Sequence, residues 1–179
     1  FKIKEIVEES GLDVPFLRPK NLAKDSSSME DVLLHSLRYY NKIGYDTDVI
    51  ILLQPTSPFR REKDIKNAIK KFSIKNDMVV SVNESKVSPY FTLYEENKFG
   101  FLKQSKKGKY RRSQDTPRVW ELNGSIYIIN VIALKKKGLS NFNKIIKYNI
   151  DNPICCLDID TEFDWLIADT IINKKLKYN

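Results

Sequence analysis

Residues 48–60 read DVIILLQPTSPFR, and this stretch decides the fold class. Its first part, residues 48–53, is short, β-branched and continuously apolar, which is typical of a strand buried on both faces of a parallel sheet. Prolines end the run abruptly, because proline cannot continue a central strand. A helical pattern at 62–74 and a second apolar run at 78–82 follow. The order strand, loop, helix, strand predicts a right-handed crossover within an open α/β sheet.

The flanking segments extend this pattern in both directions. Residues 29–43 carry an apolar stripe at helical spacing, and Asp25 and three serines before them offer N-caps. Residues 125–130 (SIYIIN) and 154–157 (ICCL) have the composition of short strands. Residues 161–175 begin with good helix-start residues and keep a helical period, so they predict a closing helix.

Between residues 83 and 122 the pattern changes. Short aromatic pieces on either side of Asn97 and Lys98 predict a hairpin. The stretch at 103–118 is polar and basic and has no helical period. A structureless loop of this length is unusual in a compact domain, which indicates a functional segment or an arm held by a partner.

Composition limits the protein class. A chain of 179 residues fits one domain, or a domain with a small appendage, and its 41% hydrophobic content suffices for a core. No apolar run approaches the ~18 residues of a membrane span. Lys and Arg exceed Asp and Glu by 31 to 23, which favours polyanionic partners. The lysines are scattered over short runs, however, so solvated faces explain the charge better than a nucleic-acid surface does.

The cysteines and the first residues add two expectations. Cys155 and Cys156 are adjacent and lack a CxxC or histidine cluster, so we expect no zinc site and a reducing, cytoplasmic location. Ile3, Ile6 and Val7 have helical spacing, with Gly11 as a stop signal, and FKIKEIVEESG lacks the layout of a signal peptide. We expect a helix whose beginning lies upstream, in a chain that has lost its N-terminal segment.

The motif LDIDTEFD at 157–164 carries a pair of carboxylates. Asp158 and Asp160 lie on the same side of an extended segment, and we expect them at the carboxyl end of a strand, where open α/β sheets bind ligands. Paired hard oxygen ligands of this kind suit Mg²⁺ that carries substrate phosphates. The alternative is that one aspartate merely caps the following helix.

The turn at 52–60 offers neutral hydrogen-bonding groups. Gln54, with the hydroxyls of Thr56 and Ser57, suits a polyol substrate, whereas a rigid proline-braced turn with Ser57 as a cap is the alternative. Asn123 with Gly124 predicts a turn before the strand at 125–130, although an asparagine there also suits a hydroxyl-rich ligand.

One further candidate lies in the basic stretch. Arg112, with its neighbour Arg111, suits a clamp on phosphate or carboxylate, although arginines in a polar loop are usually only solvated.

Four segments in order resemble the acylneuraminate cytidylyltransferases, also called CMP-sialic acid synthetases. They are VPFLRPKNLAKDSSSMEDVLLHSL (14–37), LLQPTSPFR (52–60), RRSQDTPRVWELNGSIYI (111–128) and LDIDTEFD (157–164). The LLQPTSP, NGSIYI and DIDTEFD motifs are each fairly specific, and the resemblance covers nearly the whole chain.

This resemblance implies a Rossmann-like open mixed sheet with helices on both faces, of the nucleotide-sugar transferase type. The whole chain, 1–179, would be one cytidylyltransferase domain with a small dimerisation lobe at about 88–122. The implied reaction transfers CMP from CTP to the anomeric hydroxyl of a nine-carbon 2-keto sugar acid and releases pyrophosphate. The implied cofactor is Mg²⁺ or Mn²⁺, and the implied assembly is a homodimer. The alternative is a non-catalytic module that binds nucleic acid or nucleotides through 103–118.

The resemblance also assigns residues. Asp158 and Asp160 match the metal-binding, catalytic aspartates, and Gln54 matches a glutamine that contacts the sugar. It also implies that Asn123 and Tyr127 line the sugar pocket, with Ser26 and Thr56 nearby. Arg112, which was proposed above as a clamp, completes the substrate-binding candidates.

Two departures from the family pattern bear on activity and specificity. The family's opening strand and its Gly/Ser/Lys/Arg-rich loop, which hold the CTP triphosphate, have no counterpart here, so we expect an incomplete catalyst that is inactive alone. Glu121 stands where some members carry arginine, and Phe91 where some carry lysine. N-acetylneuraminic, legionaminic and pseudaminic acid therefore all stay open as substrates.

Overall fold

The computed structural model describes residues 2–24 and 26–176. The chain divides into two compact units, one formed by Phe1–Asp48 with Val131–Asn141 and the other by Val49–Asn130 with Phe142–Asn179. Asp25, one of the N-cap candidates, lies outside the described residues. Within the described ranges, no helix has the length and apolar character needed to cross a membrane.

The first unit is helical. It contains α1 (Lys2–Glu9), α2 (Met29–Lys42) and α4 (Val131–Lys137), and the first two confirm the predicted helices. Ser28 caps α2, since its Oγ accepts a hydrogen bond from the Asp31 amide. Thus one of the three serines before α2 provides the predicted cap.

The second unit contains a four-stranded sheet. Its strands in spatial order are β1 (Val49–Leu52), β5 (Trp120–Asn130), β2 (Met78–Glu84) and β6 (Ile145–Asn149). β5 is antiparallel to both β1 and β2, whereas β2 and β6 are parallel. The predicted open mixed α/β sheet is therefore confirmed. The carboxyl ends of β1, β2 and β6 lie at one edge of it.

β2 and the second half of β5 are buried. The prediction that 48–53 is buried on both faces of a parallel sheet is wrong, because β1 is an edge strand that pairs antiparallel with β5 and leaves Ile51 exposed. α3 (Glu62–Lys70) lies against β2 and β5, and it ends four residues before the predicted helix end because the chain turns there to enter β2. A second apolar cluster joins Phe59 to α5 (Glu162–Asn173). The main core cluster consists of Ala68, Val79, Ile126, Ile128, Ile150 and Cys155.

The predicted strand at 154–157 is wrong. Pro153–Cys156 forms a 3₁₀ helix, and the Asn152 side chain caps it by accepting from the Ile154 amide at 3.0 Å. Its apolar character reflects burial of Cys155 in the core rather than strand pairing. The strand of this region is β6, an edge strand with mostly exposed side chains, so it lacks the apolar signal of a buried strand.

The predicted turn at Asn123 and Gly124 is also wrong, because both residues lie inside β5. Ser81 is the one residue of β2 between the paired positions Val80 and Val82, and it faces four residues of β5, 123–126. This mismatch is a β-bulge, which bends the strand and re-aims its side chains. Asn-Gly is common in turns because both residues tolerate unusual backbone angles, and a bulge needs the same tolerance.

The hairpin predicted around Asn97 and Lys98 is confirmed. β3 (Tyr94–Glu96) and β4 (Leu102–Gln104) form a separate two-stranded sheet. The basic stretch after it folds back, since the Tyr90 and Tyr110 rings meet edge to face at 5.0 Å. The dimerisation lobe at 88–122 stays a prediction, and its last three residues are part of β5.

Replacement of Thr161 by alanine should destabilise α5. Thr161 and Asp164 form a capping box, in which each side chain accepts a hydrogen bond from the other residue's amide. We expect the free energy of unfolding to fall by about 1 kcal/mol, measured by urea denaturation. The control is Thr170→Ala, in the interior of the same helix, which should have no effect or a small stabilising one because alanine has the higher helix propensity. Equal losses in both variants would argue against the cap.

Candidate functional site

The carboxyl edge of the sheet brings the two main motifs together. The turn that carries Gln54 follows β1, and the extended segment that carries Asp158 runs beside it. That segment follows the 3₁₀ helix Pro153–Cys156, so the prediction that Asp158 and Asp160 lie at a strand's carboxyl end is wrong. The Ile159 amide donates to the Thr56 carbonyl oxygen at 2.9 Å. Ligands of open α/β sheets bind at this edge, so its polar side chains are the first candidates for a site.

The bulge in β5 is held by a buried serine. The Ser81 hydroxyl donates to Asn123 Oδ1 at 2.5 Å and accepts from the Ile126 amide at 2.8 Å. Ser81 is fully buried, so these bonds satisfy its hydroxyl away from water. The serine therefore fixes the path of the bulge, which displaces Gly124 towards the turn after β1.

Gly124 is the point where Gln54 and Asp158 meet. Its φ is +71°, which L side chains rarely adopt. A Cβ added there would collide with Gln54 Oε1 and approach Asp158 Oδ2 to 3.1 Å. The amide of Gln54 and the carboxylate of Asp158 therefore face the same small space, and a side chain at position 124 would displace the end of one of them.

Asp158 has an unsatisfied carboxylate oxygen. Its Oδ1 is buried and accepts no hydrogen bond within the described parts of the chain. Such an oxygen is costly without a donor or a cation, so it indicates a ligand position. Asp160 is exposed, and its amide donates to Asp164 Oδ2 at 3.3 Å. The described residues contain no group of three or more His, Cys, Asp or Glu that could hold a metal alone.

The sequence reading missed Arg60 as a site residue. Its Nε donates to the Ser125 carbonyl oxygen at 2.7 Å, and its Nη2 donates to the Gln54 carbonyl oxygen. Burial lowers the pKa of Arg60, and the charge of Asp158 raises it in part. Arg60 thus joins the turn to the bulge and lies near Asp158. Its place at the end of LLQPTSPFR was the available signal.

Tyr127 also lies near Asp158. Burial raises the pKa of the Tyr127 hydroxyl, and the charge of Asp158 raises it further. The hydroxyl is therefore protonated at neutral pH and can donate a hydrogen bond.

The other predicted residues lie in different surroundings. Asn123 uses Oδ1 within the bulge, and its Nδ2 points to Cys156 Sγ at 3.5 Å. Thr56 is half-buried in the turn. Arg112 is exposed and pairs with Asp115 at 3.1 Å. Ser26 is exposed in the first unit. The second unit therefore brings together Gln54, Tyr127 and Asp158, with Arg60 added.

No family model matches the chain. Comparison with curated proteins, in contrast, finds relatives over almost its full length. It is 27% identical to the CMP-N,N'-diacetyllegionaminic acid synthase of Legionella pneumophila, over 96% of this chain and 74% of that protein. It is 31% identical to the post-translational flagellin modification protein B of Campylobacter coli, over 97% and 74%. It is 33% identical to the N-acylneuraminate cytidylyltransferase of Escherichia coli, over 95% and 39%.

A solved structure shares the fold. The CMP:2-keto-3-deoxy-manno-octonic acid synthetase complexed with CTP superposes with a TM-score of 0.62 and 14% identity, covering 98% of this chain and 78% of that one. The mixed sheet, the motifs at its carboxyl edge and the relatives at 30% identity or more over nearly the whole chain agree. The chain therefore belongs to the acylneuraminate cytidylyltransferase family.

Proposed function

We propose that this protein transfers CMP from CTP to the anomeric hydroxyl of a nine-carbon 2-keto sugar acid, with release of pyrophosphate. The observation that carries the proposal is the buried, unsatisfied Oδ1 of Asp158 beside Gln54 at the carboxyl edge of the sheet. The relatives named as cytidylyltransferases and CMP-sugar acid synthases support the same reaction class. The homodimer stays a proposal.

The residues at this edge fit a hard divalent cation. Mg²⁺ usually binds through one or two carboxylates and completes its shell with water and substrate phosphates. Asp158, through its unsatisfied oxygen, and Asp160 would hold Mg²⁺ or Mn²⁺. When bound, the cation supplies positive charge against the phosphate oxygens.

The chain's own contribution is positioning. The Gln54 side-chain amide, whose Oε1 faces the space shared with Asp158, and the protonated Tyr127 hydroxyl are neutral hydrogen-bonding groups. They are suited to holding the oxygens of a sugar acid in line with the phosphorus. Arg60 holds the backbone of the turn and of the bulge through its two donated hydrogen bonds. It therefore keeps Gln54 and Gly124 in register and places a positive charge near Asp158.

The triphosphate is the part of the substrate for which this sequence offers the fewest binding groups. Triphosphate sites typically need backbone amides of a Gly-rich loop plus Lys or Arg. The six glycines of this sequence are isolated from one another. We therefore propose that the chain alone binds the sugar acid but is an incomplete catalyst.

The test measures two quantities on this chain. Calorimetry with N-acetylneuraminic acid, with and without Mg²⁺, should show binding, and pyrophosphate release from CTP should be slow. No response to sugar acid or to CTP with Mg²⁺, together with an oligonucleotide affinity that falls steeply with salt, would instead identify a nucleic-acid binding module acting through 103–118. Rapid, sugar-dependent turnover would confirm the reaction and refute the incompleteness.

A further inference from the structure

A cavity of about 630 Å³ opens in the second unit at the carboxyl ends of β2 and β6. Asn83 near the end of β2, Asn149 at the end of β6 and Glu121 near the start of β5 line it. Its volume falls within the range of small-molecule sites, roughly 300–1,000 Å³. Cys156, which Asn123 Nδ2 contacts from the bulge, also lines the cavity and connects it to the site at Gly124.

Glu121 is held in a fixed position within this lining. It stands opposite Asn83 in the strand register. Its Oε2 accepts from Asn83 Nδ2 at 3.1 Å, and its Oε1 accepts from the Ser85 hydroxyl. An ionised carboxylate has about four lone-pair sites, so both oxygens retain capacity for donors from a ligand.

The charge of the cavity favours a neutral part of a ligand. Three lining carboxylates, those of Glu84, Glu121 and Asp151, outnumber one ammonium group, that of Lys86. Glu84 pairs with Arg118 at 3.7 Å. The cavity therefore repels an anionic group of a ligand and attracts a hydrogen-bond donor.

An apolar wall lies beside these acceptors. Val87, Pro153 and the buried Ile150 line the same cavity. A bare hydroxyl group has no apolar part to place against such a wall. An acylamino group has both parts, since its N–H donates to a carboxylate and its methyl group packs on apolar carbon.

We propose that Glu121 determines the substrate class by accepting the N–H of an acylamino group on the sugar acid, with the acyl methyl against Val87, Ile150 and Pro153. The inference rests on the proposed function. The sugar carboxylate then lies away from this cavity, outside the reach of its three lining carboxylates. The enzyme should discriminate against sugar acids that carry hydroxyl in place of the acylamino group.

The experiment compares two acids on this chain by calorimetry with Mg²⁺ present. The probes are N-acetylneuraminic acid and its analogue with a hydroxyl at the acetamido position. The wild-type protein should prefer the acetamido acid by about tenfold or more, since hydrogen bonds to charged groups are among the strong ones. Glu121→Gln should reduce that preference, and Glu121→Ala should abolish it. Glu95→Gln, an exposed change of the same type on β3, is the control and should retain the preference.

The outcomes separate the two proposals. Binding of both acids with the same preference in wild type, Glu121→Gln and Glu121→Ala would overturn the role of Glu121 and leave the proposed function standing. Binding of neither acid to the wild-type protein would overturn both. Circular dichroism of each variant verifies folding, and Glu121 is exposed, so its replacement leaves the core intact.

Discussion

Replacing Asp158 by asparagine should remove Mg²⁺-dependent binding while the fold survives. The change keeps the volume and removes the charge at the one site carboxylate with a buried, unsatisfied oxygen. Loss of a metal ligand should exceed the 10–100-fold typical of changes to groups that support ligands, so we expect more than about a 100-fold loss. Mn²⁺ binding, followed by electron paramagnetic resonance, measures it.

The thermal unfolding temperature of the Asp158→Asn variant should stay near that of the wild type. An unsatisfied buried carboxylate oxygen costs free energy, and a new amide could donate to Gln54 Oε1, which faces the same space. These gains offset the loss of the charge beside Arg60. The control is Asp169→Asn on α5, whose carboxylate pairs with Asn173. Unchanged Mn²⁺ affinity in Asp158→Asn would show that Asp158 is structural.

The same measurement ranks the two aspartates. From the sequence, Asp160 is the expected more sensitive position. The structure favours the opposite order, because Asp158 is partly buried beside Gln54 whereas Asp160 is exposed. Asp160→Asn should therefore lose less Mn²⁺ affinity than Asp158→Asn.

Gly124→Ala should damage both stability and ligand binding. The residue adopts φ +71°, and the added methyl group would collide with Gln54 Oε1. The backbone strain costs about 1–2 kcal/mol. The collision is relieved when the end of Gln54 or of Asp158 shifts, which disturbs the site. We expect a loss of about 1–2 kcal/mol in the free energy of unfolding from the strain, together with loss of sugar-acid binding because Gln54 or Asp158 is displaced.

Gly44→Ala separates the two causes. Gly44 has φ +89°, and a Cβ there meets nothing within 4 Å, so that variant carries the strain without the collision. It should lose about 1–2 kcal/mol in urea denaturation and keep its affinity for the sugar acid. Unaltered sugar-acid binding in Gly124→Ala would show that the contact at Gly124 is unimportant.

Local sequence signals predicted much of the fold. The apolar runs of β1 and β2, the serine cap of α2 and the start of α5 depend on neighbouring residues, so they could be read directly. The family motifs similarly identified Gln54 and Asp158 as candidates, because both lie within short, specific stretches.

The remaining features depend on residues far apart in the chain. β6 forms because its backbone pairs with β2, which its exposed, weakly apolar side chains do not reveal. Asn123 and Ser81 are separated by 42 positions, and Arg60 and Ser125 by 65. Pairing across such distances depends on how the strands align, and local propensity carries no information about that.

The sequence by itself therefore determined the α/β class, most of the elements and the pair of motifs that carry the chemistry. The tertiary structure decided that β5 bulges around Ser81, that Gly124 leaves space for Gln54 and Asp158, and that Arg60 holds the turn to the bulge. The reason is physical: helix caps and apolar periodicity act between neighbours, whereas a site at a sheet edge is assembled by strand register and by side chains that meet only after folding.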